Sequence, residues 1–247
     1  MAESYWHLKN CRLFEHIPAP EIQYLESASR LRNVKRGEVI YSPNDPADTV
    51  NLLVSGRVKI CQITAEGKQS ILAFIEAGEL FGELAILGNE KRGECAEAAA
   101  NSQLVIIPKQ ELISLMLNKP EVSAGISRII GQRRQRIERR LRNLLFQSNR
   151  KRLIHLLLEL VERYGQKCPS GVRIGIKLTH LEMANIIGST RETVTVVLGQ
   201  LQDEGLIEIE RRQVIITDFE NLRGEVAENP PPKRRSGSDS RPLVDVG

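Results

Sequence analysis

The side chains with the clearest chemistry are those of Arg191, Glu192 and Thr195. An arginine can donate two parallel hydrogen bonds to O6 and N7 of guanine, and a glutamate can accept one from N4 of cytosine. All three residues fall in the first turns of a predicted helix, which is the part that a reading helix inserts into the major groove. The pattern therefore predicts contact with base edges. An exposed helix end with a solvated Arg–Glu pair is the plainer interpretation.

Two short amphipathic helices around Gly188 must position this surface. Thr179 with Glu182, and Ser189 with Glu192, have the spacing of capping boxes, in which side chains satisfy backbone donors at a helix start. Gly188 is expected to leave the first helix with a positive φ. The apolar positions expected to form a shared core are Leu181, Ala184 and Ile187 in the first helix, and Val194, Val197, Leu198 and Leu201 in the second. This arrangement is a helix-turn-helix.

The segment after these helices predicts a β-hairpin wing. Residues 205–217 alternate apolar and polar on both sides of a polar turn. Arg211 and Arg212 at its tip could contact DNA phosphates, although a hairpin tip is commonly polar for solvation alone.

Composition is compatible with two domains and a polyanionic partner. The chain has 247 residues, 41% of them hydrophobic, and a net charge of +4. A basic cluster occupies its middle, and a solvated helix face is the alternative explanation for it. Its members are Arg133, Arg134, Arg136, Arg139, Arg140, Arg142, Arg150, Lys151 and Arg152. No apolar run approaches the ~20 residues that span a bilayer, and residues 1–4 do not resemble a signal peptide. We therefore expect a cytoplasmic protein.

Neither metal nor catalytic chemistry is expected. Cys11, Cys61, Cys95 and Cys168 are scattered without a Cys-x-x-Cys pair, so buried or surface thiols are the favoured interpretation. His7, Cys11 and His16 form the only local group of soft ligands, and a closed metal site normally needs four ligands. No nucleophile–base pair is recognisable, so we do not expect an enzyme.

The first half of the chain predicts a β-sandwich or barrel. Residues 5–30 read as helical with interruptions at Pro18 and Pro20, and residues 31–108 contain short β segments separated by turns. The best strands are residues 38–41, 50–54, 57–60, 70–74 and 103–107. Residues 78–86 form a glycine-bearing turn that leads into a short helix.

The order of these parts resembles a known family. A β-roll, the sequence Phe81-Gly82-Glu83-Leu84-Ala85, a long helix and a winged helix-turn-helix with Thr190-Arg191-Glu192-Thr193-Val194 follow one another over about residues 10–220. The chain resembles the cyclic-AMP receptor protein/fumarate–nitrate reductase regulator (CRP/FNR) superfamily of bacterial transcription factors. The resemblance implies an α+β protein with an N-terminal jelly-roll (double-stranded β-helix) domain, a dimerisation helix and a DNA-binding domain. We place them at residues 1–120, 121–148 and 149–222, followed by a disordered basic tail at 223–247.

The residues that would bind cyclic AMP are only partly matched. In relatives that bind this nucleotide, a Gly-Glu-Leu segment holds ribose and phosphate, and an Arg followed by Ser or Thr completes the phosphate site. Gly82, Glu83, Leu84 and Arg92 match these positions, but Gly93 lacks the hydroxyl and Glu94 adds a negative charge. Ile137 and Glu138 occupy the place of the Thr-Ser pair that bonds adenine. We expect an effector pocket at these residues that does not take cyclic AMP. The plainer interpretation is a structural turn that the roll requires.

Resemblance to the superfamily also implies a homodimer on a near-palindromic site, with RNA polymerase as a partner. The apolar seam expected on the long helix is Ile130, Arg134, Ile137, Leu141 and Leu144, spaced alternately by four and three. Arg134 either sets register or snorkels to solvent. The base-reading pair of the family falls on Arg191 and Glu192, with Ser189 and Thr190 beside it, and Val196 replaces an arginine and suits a thymine methyl.

Two questions stay open at this point. The alternative function is a ligand sensor whose output is a protein partner, with a vestigial DNA-binding domain. The effector is unknown: another nucleotide, thiol oxidation and activity without an effector all remain. Haem is disfavoured, since no histidine lies between Asn33 and Gln147.

Overall fold

The N-terminal segment folds as two helices against the roll. The computed structural model describes residues 5–9, 11–88, 90–210 and 213–227. Helix α1 is Tyr5–Lys9, a 3₁₀ turn follows at Arg12–Phe14, and α2 is Ala19–Ala28, with Pro18 at its N-cap. Phe14, Ile22 and Leu25 are buried. The predicted interruption is confirmed at Pro18. Pro20 does not break the helix, because it lies in the first turn of α2, where no backbone donor to the preceding turn is needed.

The predicted jelly roll is confirmed as two four-stranded antiparallel sheets. The first sheet has the order β1-β8-β3-β6 and the second β2-β7-β4-β5. The strands are β1 Arg30–Val34, β2 Val39–Tyr41, β3 Thr49–Ser55, β4 Val58–Ile63, β5 Gln69–Ile75, β6 Leu80–Phe81, β7 Cys95–Ala98 and β8 Ser102–Pro108.

Side chains fill the space on both faces of the first sheet. One buried cluster lies inside the roll and includes Leu53, Ile60 and Leu104. Another joins that sheet to the flanking helices and includes Val50 and Ile107. Alternate residues of each strand therefore face different cores, as the pleat requires.

Two consecutive helices connect the roll to the second domain. Helix α3 is Lys109–Asn118 and α4 is Pro120–Phe146, whose 27 residues span about 40 Å. The long helix predicted at residues 121–148 is confirmed; it begins one residue earlier and ends two residues earlier. Ser148 then caps α5, Asn149–Tyr164, by accepting a hydrogen bond from the Lys151 N–H.

The C-terminal domain is a winged helix-turn-helix, as predicted. Its elements are β9 Gly165–Cys168, β10 Gly171–Ile174, α6 His180–Ile187, α7 Arg191–Asp203, β11 Ile207–Glu210, β12 Gln213–Ile216 and α8 Phe219–Gly224. Its four strands have the order β11-β12-β10-β9. Helix α8 extends beyond residue 222, where we had placed the end of the domain. The tail from residue 228 onward, including its basic segment, lies outside the described residues.

Within the described part of the chain, no helix combines the length and apolarity needed to cross a bilayer.

Candidate DNA-reading head and sensor cavity

The turn between α6 and α7 is fixed by capping bonds. The predicted capping box at Thr179 is confirmed: its hydroxyl accepts from the Glu182 N–H at 3.1 Å, and the Glu182 carboxylate accepts from the Thr179 N–H at 2.8 Å. Gly188 ends α6 with a φ of +63°, as expected. The second predicted box was wrong. Ser189 still donates its N–H to Ala184 O as part of the α6 end, so the cap of α7 is Thr190, which accepts from the Thr193 N–H.

The buried faces of the two helices meet as predicted, with one exception. Val194, Val197, Leu198 and Leu201 of α7 are buried, and so are Met183, Ala184, Ile186 and Ile187 of α6. Leu181 was predicted to be in this core but is 55% exposed. It lies in the first turn of α6 and lines an open cleft between this domain and the β-roll.

An exposed stripe runs along α7. Arg191, Glu192, Thr195 and Val196 are all exposed. Within the described residues, the Arg191 side chain has neither a hydrogen bond nor an ion pair. The Thr195 hydroxyl is already occupied, since it donates to Arg191 O at 2.9 Å and lies 2.8 Å from Nδ1 of His180. Thr195 therefore offers its methyl group, rather than a free hydroxyl, to a ligand.

The flanking predicted contacts are less accessible. Ser189 is half-buried, and the hydroxyl of Thr190 is used by its cap. The wing ladder closes at the pair Glu210 and Gln213. Arg211 and Arg212, which we predicted at its tip, lie outside the described residues.

Much of the basic cluster holds the protein together. Arg150 pairs with the carboxylates of Glu204 at 2.5 Å and Glu225 at 2.6 Å, which ties the start of α5 to the ends of α7 and α8. Arg152 donates to Ile187 O and Gly188 O at the turn between α6 and α7. We call these two helices and their turn the reading head. The cluster therefore offers less free charge to a polyanion than its sequence indicates.

The DNA-binding domain docks on the outer face of the second sheet. Ile71 and Phe74 of β5 share a buried cluster with its helices, and the Ser70 hydroxyl donates to Asn185 O at 3.3 Å. Arg140 of α4 donates to Leu72 O at 2.7 Å, at a bulge in β5, and contacts Glu159 of α5. The docked domain thus contacts the β-roll and the long helix together.

A cationic cleft of about 680 Å³ lies between the docked domain and the roll. Its basic lining residues are Arg36, Arg57, Lys177, His180 and Arg191. Sequence reasoning identified only Arg191 among them. Lys177 could have been predicted from its position two residues before the capping box. Arg36 and Arg57 are far away in sequence and reach the cleft only through the tertiary fold.

A second cavity, of about 220 Å³, lies between the roll and α4. It brings together four of the predicted pocket residues, Glu83, Leu84, Ile137 and Glu138, and adds Glu94. Gly82, Arg92 and Gly93 are not part of its lining. We call this space the sensor cavity.

Arg133, which sequence reasoning did not assign to the cavity, neutralises its deepest carboxylate. The Arg133 guanidinium lies 2.5 Å from the buried Glu83 carboxylate and also donates to Leu80 O. Arg133 precedes Ile137 by one helical turn, so the two side chains lie on the same face of α4. The prediction that Ile137 faces the cavity could therefore have indicated Arg133 as well.

Arg92 braces the turn that carries Glu83. Its guanidinium donates to Gly82 O at 2.9 Å and Thr49 O at 2.5 Å, and lies 4.4 Å from the ring centre of Tyr41. Gly82 has a φ of +71°, and a Cβ there would lie 2.7 Å from Arg92 Nη1. Nε of Arg92 and Nδ2 of Asn51 are buried donors without an acceptor among the described residues. Most of the hydrogen-bond donors of Arg92 are therefore used within the protein.

Glu94 adds a third carboxylate to the sensor cavity, after those of Glu83 and Glu138. It accepts a hydrogen bond from the Tyr41 hydroxyl at 3.0 Å. Burial raises the pKa of Glu94, the Tyr41 hydrogen bond lowers it, and the nearby Glu83 raises it further, with a net increase. Charge at this position is disfavoured, and another anion beside it would be disfavoured more.

Comparison with known proteins agrees with this architecture. A cyclic nucleotide-binding domain matches residues 31–119, and a Crp-like helix-turn-helix domain matches residues 151–225. The global nitrogen regulator of Synechococcus elongatus is 30% identical over 189 residues, which cover 76% of this chain and 85% of that protein.

The chain belongs to the CRP/FNR family.

Other CRP/FNR relatives cover nearly the same span. The CRP-like cAMP-activated global transcriptional regulator of Mycobacterium tuberculosis is 27% identical over 215 residues, 87% of this chain and 96% of that protein. A solved CRP/FNR-family transcriptional regulator from Thermus thermophilus is 29% identical, with a TM-score of 0.66 and coverage of 81% of this chain and 99% of that one. The protein is therefore a CRP/FNR-type transcriptional regulator with a helix-turn-helix DNA-binding domain.

The long helix of this CRP/FNR regulator carries an exposed apolar face. Ile137, Leu141 and Leu144 are 46%, 54% and 42% exposed, and Leu145 and Phe146 extend the surface further. The predicted seam member Ile130 is half-buried. Arg134 is exposed and pairs with Glu138 at 2.7 Å on the same helix.

Leu144 also contacts the reading head. A Cβ placed on Gly188 would lie 2.6 Å from Leu144 Cδ2, so this side chain packs directly over the turn between α6 and α7.

The soft ligands noted near the N-terminus are not brought together as a ligand group in the described part of the chain. Among the described residues, no group of three His, Cys, Asp or Glu side chains is placed to hold a metal ion. Cys11 is buried.

Proposed function

We propose that this regulator acts as a homodimer that reads a near-palindromic DNA site through α7, with control by an effector other than cyclic AMP. Arg191 and Glu192 would contact base edges, and Val196 would contact a thymine methyl. The observation that carries the proposal is the exposed stripe of α7, on which Arg191 has no partner among the described residues. RNA polymerase would be the partner through which a bound dimer acts.

The exposed face of α4 supports the dimer. Ile137, Leu141 and Leu144 repeat at intervals of four and three, which is the spacing of a two-helix seam. Burying a large aliphatic side chain is worth about 1.5–3 kcal/mol relative to full exposure, and these are about half exposed in one chain. Several such residues in each of two copies provide a sufficient apolar surface for a coiled pair.

The chemistry of the sensor cavity supports an effector other than cyclic AMP. Three carboxylates line it, those of Glu83, Glu94 and Glu138, and the first and last of these already pair with arginines. Ile137 offers no hydrogen bond to a base. Arg92, the expected phosphate ligand, donates instead to Gly82 O and Thr49 O. One relative is named for activation by cAMP and another for nitrogen regulation, so sequence similarity alone does not identify the effector.

The dimer is tested with Leu141→Asp, which puts a charge in the proposed seam. Light scattering should give a dimer for the wild type and a monomer for the variant. The monomeric variant should bind specific DNA more weakly than the wild type. Leu117→Asp is the matched control, since Leu117 is 80% exposed on α3 and away from the seam. A dimeric Leu141→Asp protein, or a monomeric wild type, would contradict the proposal.

DNA binding itself is tested by titrating salt. A protein that neutralises phosphates loses affinity linearly on a log–log plot as salt rises, so a steep slope is expected. Cyclic AMP should leave both the melting temperature and the DNA affinity unchanged; a saturable increase in either would refute the effector assignment.

A further inference from the structure

Two of the four cysteines are direct cross-strand neighbours. Strands β4 and β7 are antiparallel, and Cys61 is the register partner of Cys95. Residues directly opposite in such a pair have Cβ atoms about 4.5–5.5 Å apart, and a disulfide needs about 3.5–4.5 Å. An adjustment of about 1 Å therefore brings the two sulfurs within bonding distance.

Both thiols point to the outer face of the second sheet. Val58 and Ile60 of β4 pack inside the roll, so the alternate residues Lys59 and Cys61 point outward. The next pair along that face, Lys59 and Glu97, are also register partners and are joined by an ion pair of 2.9 Å, so both side chains lie on the same face of the sheet.

The docked DNA-binding domain covers this face. Cys61 is fully buried, and it belongs to the same apolar cluster as the buried residues of α6 and α7. Cys95 is 2% exposed. The covering helix α6 brings its Glu182 carboxylate near enough to act electrostatically on Cys61. An oxidant in solvent can reach Cys61 only when the domain lifts.

Burial also keeps the thiols protonated. It raises the pKa of Cys61 to about 12, with smaller increases from Cys95, Glu97 and Glu182 that oppose the decrease from Lys59. Burial raises the pKa of Cys95 as well. Since the thiolate is the reactive form, the docked state protects the pair chemically as well as sterically.

We propose that Cys61 and Cys95 are a redox modification site, which a peroxide converts to a reversible cross-strand disulfide when the DNA-binding domain undocks. One thiolate attacks a peroxide oxygen, an S–O bond forms and the O–O bond breaks. The products are a sulfenic acid and hydroxide, which becomes one water by taking the proton that the thiol released. The second thiolate attacks that sulfur, the S–S bond forms, and hydroxide leaves as a second water after taking a proton. Two thiols are oxidised and one peroxide is reduced.

The test is a disulfide map of the full-length protein after hydrogen peroxide treatment. Free thiols are alkylated, and tryptic peptides are analysed by mass spectrometry. The expected product joins peptides 60–68 and 93–109, which carry Cys61 and Cys95, with a mass two hydrogens below their sum. Dithiothreitol should restore both peptides. Cys11 is the internal control, because it is 2% exposed and lies on a turn rather than in the strand pair.

Gating by docking is tested by the rate of oxidation. Arg140→Gln removes charged hydrogen bonds to Ile71 O and Leu72 O and the contact with Glu159, and should speed formation of the disulfide about tenfold. Arg142→Gln is the matched control on the same helix, because Arg142 is exposed and has no partner within the described residues. Its rate should equal that of the wild type.

Three results would overturn the proposal. Cys61 and Cys95 could remain alkylatable while the more exposed Cys168 is oxidised, or each could become sulfinic acid without joining. Equal disulfide rates in the wild type, Arg140→Gln and Arg142→Gln would reject the gating. None of these measurements involves DNA, so they are independent of the proposed reading function.

Discussion

Arg191 is the residue on which sequence reading should depend. We consider Arg191→Ala in the proposed dimer, which removes one forked donor from each reading helix. A good bidentate contact to a base is worth about 1–3 kcal/mol of discrimination, so two copies contribute about 2–6 kcal/mol. The lower bound alone is about a thirty-fold loss of specific affinity. Because the side chain is exposed and unpartnered within the described residues, stability should change by less than about 0.5 kcal/mol.

The assay is a gel-shift or anisotropy titration of one operator duplex and one scrambled duplex at several salt concentrations. The ratio of the two affinities should collapse in Arg191→Ala, while binding to the scrambled duplex should fall little. Arg142→Ala is the control for loss of one positive charge, since Arg142 is exposed on α4, outside α6 and α7, and has no partner within the described residues. An unchanged ratio in Arg191→Ala, or an equal loss on both duplexes, would refute base reading by this residue.

Three further predictions concern stability in urea. Gly188→Ala and Gly205→Ala, at φ of +63° and +74°, should each lower the free energy of unfolding by about 1–2 kcal/mol, but only the first should disturb DNA binding, because only its Cβ contacts Leu144. The folded pKa of Glu94 is raised, so its charge costs stability as pH rises above 4.5; Glu94→Gln should be the more stable protein at neutral pH and equal to the wild type in acid. Arg150 lowers the pKa of Glu225, so Arg150→Met should cost about 1 kcal/mol at neutral pH, and the cost should vanish as pH falls through that lowered pKa. Equal DNA affinities for the two glycine variants, or pH-independent differences for the other two, would contradict these arguments.

The order and type of most elements could be predicted because local signals were strong. Capping at Thr179, the positive φ of Gly188 and the apolar period of α7 depend on neighbours within a few residues. The second capping box failed for a local reason as well. Ser189 and Thr190 both carry a hydroxyl that could cap α7. Because the Ser189 N–H donates to Ala184 O at the end of α6, Thr190 is the capping residue.

The sites were harder to predict because they are made by contacts across the chain. Arg133 pairs with Glu83 fifty residues away, and Arg150 pairs with Glu225, so charge that looked free in sequence is used in the fold. Leu181 looked like a core residue by its period, but it faces the cleft that domain docking creates. Periodicity describes one helix face and carries no information about which partner covers it.

Leu144 serves two neighbours at once. Its end lies against Gly188, and its exposed side belongs to the α4 face that we propose meets a second copy. A displacement of Leu144 by the partner helix would therefore move Gly188 and change the orientation of α7. A bulkier residue at this position should tilt both reading helices in opposite senses, so the preferred distance between half-sites would change while the bases read in each half would stay the same.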